Sequence, residues 1–298
     1  MFAKLARRAA SVLVVAASTA AGVSPAVAQS GEWAPGKYMA QAVGEMMATV
    51  RQLTDMSEFG YADDEAACLV GVYLLPGAKY SIWRPFEAGR TYALCAGGDE
   101  DATDVDLEVL DSEGNVVVKD TSVDRGAAFL FTPLRSGKYS LRVTLYGSKR
   151  EAFCAFAIMQ RGGCDVPIVN LTTAGDGFLT LCRSVLTVRG GKLGFLTESN
   201  QAALFGVILR GGRGTEVTDV RMGAGTRLVL GAGDTQAQDL DIKVHTMGGS
   251  LVAEDVETDA TPVNIFSTSS HESYKVTLQN AAQRENAVFA VFGVLQAE

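Results

Sequence analysis

Apolar and polar residues alternate with a period of two in several segments of this chain, which is typical of strands with one buried face. The segments 104–110 (DVDLEVL) and 239–245 (DLDIKVH) show the alternation clearly. Each is followed by a glycine-containing turn, SEGN (112–115) or MGGS (247–250), of the kind that joins two antiparallel strands. Further short apolar segments with turns between them predict an all-β protein built from antiparallel sheets.

One segment near the start of the chain, 37–56 (KYMAQAVGEMMATVRQLTDM), departs from this pattern. Its apolar residues recur at intervals of three and four, which predicts an amphipathic helix. These residues are Met39, Val43, Met46, Met47, Val50 and Leu53. The helix is expected either to cover a sheet as a lid or to bind a partner or a second copy. The segment 177–188 (GFLTLCRSVLTV) holds the matching place later in the chain, with a weaker helical pattern.

The chain contains two copies of one long unit. With one short gap, the residues from Ala88 onward align with those from Ala224 onward. The segment 152–160 (AFCAFAIMQ) also aligns with 288–296 (VFAVFGVLQ). The matched positions include Gly97 with Gly233, Asp106 with Asp241, Phe131 with Phe266 and Tyr139 with Tyr274. A two-fold repeat of a unit this long indicates a pair of domains.

These patterns divide the chain into four parts. They are a signal peptide (1–28), an N-terminal helical segment (29–62), a first sandwich (63–162), and a linker with the second sandwich (163–298). The predicted fold is all-β, with two tandem antiparallel β-sandwich domains of jelly-roll-like form and a short N-terminal amphipathic helix.

The first 28 residues have the pattern of a cleaved signal peptide. Lys4, Arg7 and Arg8 form a basic start, an apolar run follows, and Ala26 and Ala28 supply the small residues that precede cleavage. The run is too short and too rich in alanine and serine for a membrane anchor. We therefore expect an exported protein, periplasmic or extracellular, whose mature chain has no transmembrane segment.

Charge narrows the range of partners. The whole chain has a formal net charge of −8, and the predicted signal peptide contains three bases and no acids, so the mature chain stands at −11. This balance argues against nucleic acid and against anionic membrane surfaces as partners. It is compatible with cation binding.

Several motifs together resemble the bacterial pre-peptidase C-terminal (PPC) domain. In the first copy they are DVDLEV (104–109), VVVKD (116–120) and FTPLRSGKYSLRV (131–143). The second copy keeps Phe266 and Tyr274 but lacks the proline and the glycine. The resemblance implies a small antiparallel sandwich that is found in secreted bacterial proteins, often beside a catalytic domain. It also implies a non-catalytic role, and some members of the family bind calcium or polymers such as collagen.

Acidic residues form matching sets in the two copies. A hairpin that turns at 112–115 places Asp120 opposite Leu107, and therefore beside Asp106. Carboxylate oxygens that converge at a loop end suit Ca²⁺, which gives a calcium hypothesis for both copies. The candidate ligands are Asp104, Asp106, Asp120, Asp124, Asp239, Asp241, Asp255 and Asp259. The competing interpretation is that each aspartate accepts hydrogen bonds from its own loop.

Five cysteines follow the predicted signal peptide, and export would place them in an oxidising compartment. Cys95 aligns with Gly231 and Cys154 with Ala290, so the first copy has cysteine at both places and the second at neither. Joint replacement is what a disulfide between Cys95 and Cys154 would produce. Two separate buried thiols explain the same pattern, so the alternatives stay open.

No nucleophile or metal-hydrolase motif supports an enzyme. The chain lacks G-x-S-x-G, H-E-x-x-H and the P-loop, and it has only two histidines, His245 and His271. We expect a non-catalytic binding or structural module, with calcium as its only candidate cofactor, that acts on an envelope or extracellular polymer of protein or polysaccharide. The alternative is an accessory or inhibitor module for a secreted hydrolase. The sequence leaves the oligomeric state open.

Overall fold

The computed structural model describes residues 34–53, 56–120, 122–196, 201–282 and 287–297. The predicted signal peptide lies outside these residues. Most of the described chain is in antiparallel strands, which confirms the all-β sandwich prediction.

The described residues form two long helices and eighteen strands. The helices are α1 (Ala34–Val50) and α2 (Ile168–Arg189). The strands of the first half are β1 (Phe59–Tyr61), β2 (Leu69–Leu74), β3 (Lys79–Phe86), β4 (Tyr92–Gly98), β5 (Ala102–Leu110), β6 (Val116–Asp120), β7 (Gly126–Phe131), β8 (Gly137–Ser148) and β9 (Ala152–Arg161). Those of the second half are β10 (Leu193–Phe195), β11 (Ala202–Leu209), β12 (Gly214–Met222), β13 (Gly225–Gly233), β14 (Leu240–Thr246), β15 (Leu251–Asp255), β16 (Val263–Thr268), β17 (Glu272–Asn280) and β18 (Val288–Ala297).

The two halves have the same plan, a helix followed by nine strands, and equivalent strands make equivalent pairs. Strand β4 pairs with β7 and β9, as β13 pairs with β16 and β18. Strand β5 pairs with β6 and β8, as β14 pairs with β15 and β17. The predicted duplication is therefore present in the topology as well as in the sequence.

The inner sheets of the two halves join into one. Eight strands follow the order β16-β13-β18-β11-β2-β9-β4-β7, and β1 and β10 attach to β9 and β18 to make ten. Each half adds a separate four-stranded outer sheet, β3-β8-β5-β6 in the first and β12-β17-β14-β15 in the second. The outer sheets pack on the large sheet, as in a β-sandwich.

Strands β2 and β11 form the junction between the halves. They are antiparallel, with Val70 opposite Phe205, Leu69 opposite Gly206 and Gly71 opposite Leu204. The pairing is symmetric about Val70 and Phe205, which hold the same place in the two copies. A pseudo-two-fold axis perpendicular to the sheet therefore relates the halves. The two repeats share one ten-stranded sheet, and the domain boundary at 162/163 stays a prediction.

The helices cover the face of the large sheet that the outer sheets leave free. Helix α1 packs on β4 and β9, and α2 packs on β13 and β18. Glycines allow the close approach: a Cβ atom on Gly97 would lie 2.3 Å from the backbone nitrogen of Met46, and one on Gly293 would lie 2.6 Å from the ring of Phe178. The order of layers is helices, ten-stranded sheet, outer sheets.

The helix predictions are partly confirmed. Helix α1 buries Met39, Met46 and Val50 against the sheet, so the predicted apolar face is correct. It occupies less than the predicted segment 29–62, because β1 begins at Phe59. The weaker pattern at 177–188 belongs to a helix that is longer than α1. Neither described helix combines the length and apolar composition needed to cross a bilayer.

The predicted Cys95–Cys154 disulfide is wrong. Both thiols are free and buried, and burial raises the pKa of Cys95 to about 12. Cys95 lies opposite Ala157, whereas Cys154 lies opposite Gly98. The two cysteines are therefore three residues out of register, roughly 10 Å along the strands, and their side chains leave opposite faces of the sheet. A disulfide needs Cα atoms within about 7 Å.

The register also shows that the alignment of Cys95 with Gly231 is out by one residue. Cys95 lies opposite Ala157, and Leu230 lies opposite Gly293, the equivalent of Ala157. Cys95 therefore corresponds to Leu230, not Gly231. The one-residue gap in the alignment of the two copies therefore lies in the turn before β4. A gap placed inside the strand would match residues that point to opposite faces of the sheet.

Candidate binding sites

Four of the eight candidate calcium ligands close loops with their own carboxylates. Asp120 accepts hydrogen bonds from the backbone N–H groups of Ser122 (2.9 Å) and Ala128 (3.0 Å). Its counterpart Asp255 accepts them from Glu257 (3.1 Å) and Val263 (2.7 Å). These contacts fasten the end of β6 to β7 and the end of β15 to β16.

Asp124 and Asp259 have the same kind of role. Asp124 accepts a hydrogen bond from the N–H of Gly126 at 2.9 Å, and Asp259 accepts one from Thr261 at 2.7 Å. Each is an Asx turn in which the carboxylate replaces a backbone acceptor. These contacts support the interpretation that the loop aspartates are structural. The described residues contain no cluster of three or more Asp, Glu, His or Cys side chains arranged to hold a metal ion.

Asp104 and Asp106 differ from the loop aspartates, because both lie on the outer face of the first outer sheet. The predicted pairing of Asp120 with Leu107 is confirmed, so Asp106 and Asp120 are close. Desolvation, then the charge of Asp104, raises the pKa of Asp106, and desolvation and the charge of Asp124 raise the pKa of Asp104. Glu108, beside them, is paired with Arg142.

The second copy repeats this environment. Desolvation and the charge of Asp239 raise the pKa of Asp241. One carboxylate oxygen of Asp104 and one of Asp239 are buried without a hydrogen-bond partner among the described residues. In each copy a pair of neighbouring carboxylates, only partly offset by Lys119 or Lys243, thus lies next to a loop whose aspartates are hydrogen-bonded. The calcium hypothesis stays a prediction for these pairs.

A different site lies between the two outer sheets, over the junction of the halves. Strands β3 and β12 are the edges of the outer sheets, and they face each other across a cleft of about 370 Å³. Tyr80 and Ser81 line it from β3, Phe205 forms part of its floor, and Asp219 and Arg221 line it from β12. We call this site the inter-sheet cleft.

Hydrogen bonds hold the β12 wall of the inter-sheet cleft in place. The side-chain amide of Gln201 donates to the carbonyl of Arg221 (3.0 Å) and accepts from its N–H (2.7 Å). Asp219 accepts a hydrogen bond from the hydroxyl of Ser273 at 2.6 Å. The guanidinium of Arg221 lies 3.7 Å from the Asp219 carboxylate, and both side chains remain exposed. The cleft thus presents an exposed cation and an exposed anion on a wall that the Gln201 amide holds in place.

A β-bulge shapes this wall. The pairing of β12 with β17 shifts between Val217 and Val220. Asp219 has φ of 58°, in the left-handed region that few residues other than glycine adopt. The bulge turns Thr218 and Asp219 toward the solvent, where strict alternation would have buried one of them.

The aromatic residues near β3 divide between core and surface. Phe86 packs against Tyr92 with ring centroids 4.6 Å apart, and both side chains are buried in the core. Tyr80 is half-buried beside Phe156. Trp83 is 56% exposed, and it lies two residues beyond Ser81 on the same face of β3.

The sequence did not indicate Gln201, Asp219 or Arg221 as site residues. They come from the second half, whereas Tyr80 and Ser81 come from the first, and only the joined sheet brings the two groups together. The one local signal is the interruption of alternation in β12, where Thr218 and Asp219 are consecutive exposed positions.

Comparisons with known proteins do not assign a family. No protein-family model matches the chain, and no curated protein matches it. Among solved structures, the M60 catalytic domain with two CBM51 domains of Clostridium perfringens ZmpB has 9% identity and a TM-score of 0.25, covering 76% of this chain and 36% of that one. The tandem CBM22 domains of Paenibacillus barcinonensis Xyn10C have 9% identity and a TM-score of 0.23, covering 76% and 94%. The major capsid protein P2 of bacteriophage PM2 has 10% identity and a TM-score of 0.21, covering 77% and 97%.

Proposed function

We propose that this protein is an exported, non-catalytic binding protein that holds a segment of an envelope or extracellular polysaccharide in the inter-sheet cleft. The observation that carries the proposal is the meeting of the exposed Asp219–Arg221 pair with Tyr80 and Ser81 across the junction of the halves. Binding sites are typically concave, with a few fixed polar groups that orient the ligand.

The chemistry of the cleft suits sugar hydroxyl groups, each of which can both donate and accept a hydrogen bond. Asp219 supplies acceptors, and Arg221 supplies donors in a rigid planar arrangement. Trp83, about 7 Å along β3 from Ser81, offers an exposed ring next to the cleft. Flat aromatic surfaces contribute large contact areas at little cost in side-chain entropy.

A peptide strand is the competing occupant, because β3 and β12 are both edge strands, to which a further strand can add. The bulge at Val217–Val220 interrupts the regular edge of β12, and Pro85 removes a backbone donor from β3. Both features weaken strand addition and leave the side chains as the principal binding groups. This favours a polysaccharide.

The test is retention of the purified protein on insoluble polysaccharides, including peptidoglycan, chitin, cellulose and xylan, with isothermal titration for any soluble fragment that competes. We expect at least one of them to retain the wild-type protein. Arg221→Ala and Trp83→Ala should each weaken binding about tenfold, since each removes one specific contact.

Tyr146→Ala is the matched control, because Tyr146 is a 69% exposed aromatic residue outside the cleft. It should bind like the wild type. Equal weakening by all three variants would place binding on the general surface, and retention of none of the polysaccharides would overturn the proposal. Competition by an extended peptide, with no effect of Arg221→Ala, would favour strand addition.

A further inference from the structure

A second concave site lies on the opposite face of the large sheet. Helices α1 and α2 cover the two sides of this face and leave its centre open as a groove of about 430 Å³. Leu69 of β2 and Leu204 of β11 form the floor, where the two halves join. The groove therefore lies directly behind the inter-sheet cleft, with only the central strands between them. We call it the interhelical groove.

The walls of the interhelical groove are almost entirely apolar. Helix α1 contributes one face from Met39 to Arg51, a length of about 18 Å, and α2 contributes a face from Ile168 to Leu179. Gly44 and Gly175 stand in these walls, and a Cβ atom at either position would meet nothing within 4 Å. The small residues keep the groove open along its length.

A single cation marks one end of the groove. Arg51 follows the last residue of α1 and makes no hydrogen bond or ion pair with any part of the chain that the structure describes. The pseudo-two-fold axis makes the helices antiparallel, so Ile168, at the start of α2, lies at the same end. Asp176, the acidic residue of the lining, is about 12 Å further along α2. The Arg51 end therefore complements an anion.

The chemistry of the groove favours a hydrocarbon chain over a helix as the occupant. An α-helix with its side chains is about 10 Å across, and an amphipathic helix carries polar groups on one face. An unbranched hydrocarbon chain is narrower, and its fully apolar surface matches walls that present hardly any hydrogen-bonding groups. A volume of 430 Å³ also lies within the usual range for small-molecule sites.

We propose that the interhelical groove binds a fatty acyl chain with an acidic head group, its chain along Leu69 and Leu204 and its carboxylate at Arg51. This binding is separate from that in the inter-sheet cleft, and neither proposal depends on the other. Each methylene that enters the groove should raise affinity about fourfold. The gain should stop once the chain outgrows the groove.

The experiment uses the full-length mature protein and titration with octanoic, decanoic, dodecanoic, tetradecanoic and hexadecanoic acids, each below its critical micelle concentration. Affinity should climb with chain length and then level off. Absence of binding for every acid, or a rise without a plateau at the longest chains, would overturn the proposal, since the latter indicates unspecific partition.

Groove-filling variants locate the site. Gly44→Leu and Gly175→Leu place a side chain in open space and remove a mid-helix glycine, so they should keep or raise the melting temperature. Each should lower dodecanoic acid affinity at least tenfold. Thr180→Leu puts the same leucine side chain on the exposed surface of α2 outside the groove and should change nothing. Unchanged binding by both glycine variants would exclude the groove.

The head group is tested with dodecanol, which has the same chain and no charge. The wild type should prefer dodecanoic acid about fivefold, as expected for a partly exposed ion pair. Arg51→Gln should lose this preference while binding dodecanol as before. A preference that survives the substitution would show that Arg51 does not bind the carboxylate.

Discussion

At the scale of single residues, the aspartates show how one residue type serves two purposes in matching places. Asp120 and Asp255 each satisfy two backbone donors, so their charge stabilises a loop. Asp106 and Asp241 lie one strand away beside other carboxylates, and desolvation together with those charges raises their pKa values despite the nearby Lys119 and Lys243. Neighbouring acids in one set therefore have opposite effects on stability.

Asp106→Asn should raise the melting temperature at pH 7 by about 1–3 °C. The folded-state pKa of Asp106 is above its unfolded value, so its contribution to stability is complete below about pH 3.9 and is lost as pH rises through the folded pKa. The advantage of the variant should shrink as pH falls to 3.5. Thermal melts across this range check the prediction.

Asp111→Asn is the control, and it should change the stability at pH 7 in the direction opposite to Asp106→Asn. Hydrogen bonds from the side chain and backbone of Asn115 lower the pKa of Asp111, so its contribution is present above the unfolded pKa and is lost on acidification. This variant should be less stable than the wild type at pH 7 and equal to it in strong acid. Adding Ca²⁺ to the same melts also tests the calcium hypothesis, which requires a rise in the wild type that Asp106→Asn reduces.

At the scale of elements, α1 depends on the missing side chain of Gly97 in the strand beneath it. A Cβ atom there would lie 2.3 Å from the Met46 nitrogen and 2.7 Å from the Ala42 carbonyl oxygen, so the helix would have to move. The same helix contains Gly44, where added atoms meet open space. One helix thus has one glycine that packing requires and another that packing does not require.

Gly97→Ala should destabilise the protein by about 1–3 kcal/mol, because it overpacks a helix–sheet contact. Gly44→Ala should stabilise it by about 0.5–1 kcal/mol, since it removes the entropy cost of a mid-helix glycine. Chemical denaturation of both variants measures the two changes. Equal effects of the two substitutions would contradict the packing of α1 on β4.

The sequence predicted those elements whose pattern is local. The alternation predicted β5 and β14, the periodicity over 39–53 predicted α1, and the repeat predicted that the strands of the first half recur in the second. Helix α2 was only weakly indicated, because its apolar residues are interrupted by Gly175 and Gly177. The junction could not be predicted, since β11 is buried on both faces and such a strand has no pattern that identifies its neighbour.

At the scale of the whole molecule, the two repeats share one sheet, and we expect them to unfold together. Phe205 illustrates this, because it lies opposite Val70 of the other half and stacks on Phe292 of its own, with ring centroids 4.9 Å apart. It also forms part of the floor of the inter-sheet cleft. Loss of this side chain should therefore remove packing contacts in both halves and in the floor of the inter-sheet cleft.

Calorimetry of the wild type should therefore show one unfolding transition. Phe205→Ala should lower stability by about 3–5 kcal/mol and shift that whole transition to lower temperature. Leu134→Ala, at a 95% exposed position, should leave it in place. Two separate transitions, of which only one moves, would show that the halves unfold independently.

The symmetric pairing of β2 with β11 has the geometry of an isologous subunit interface, in which each partner contributes the same surface. Here a single polypeptide supplies both partners, so their association does not depend on protein concentration. Because the two halves are encoded separately within one chain, their sequences can also diverge from each other. A homodimer would place two identical walls around its axis, whereas this chain sets Tyr80 and Ser81 against Asp219 and Arg221. Duplication followed by divergence thereby turns a symmetric seam into an asymmetric cleft, in which the two ends of a bound ligand would meet different side chains.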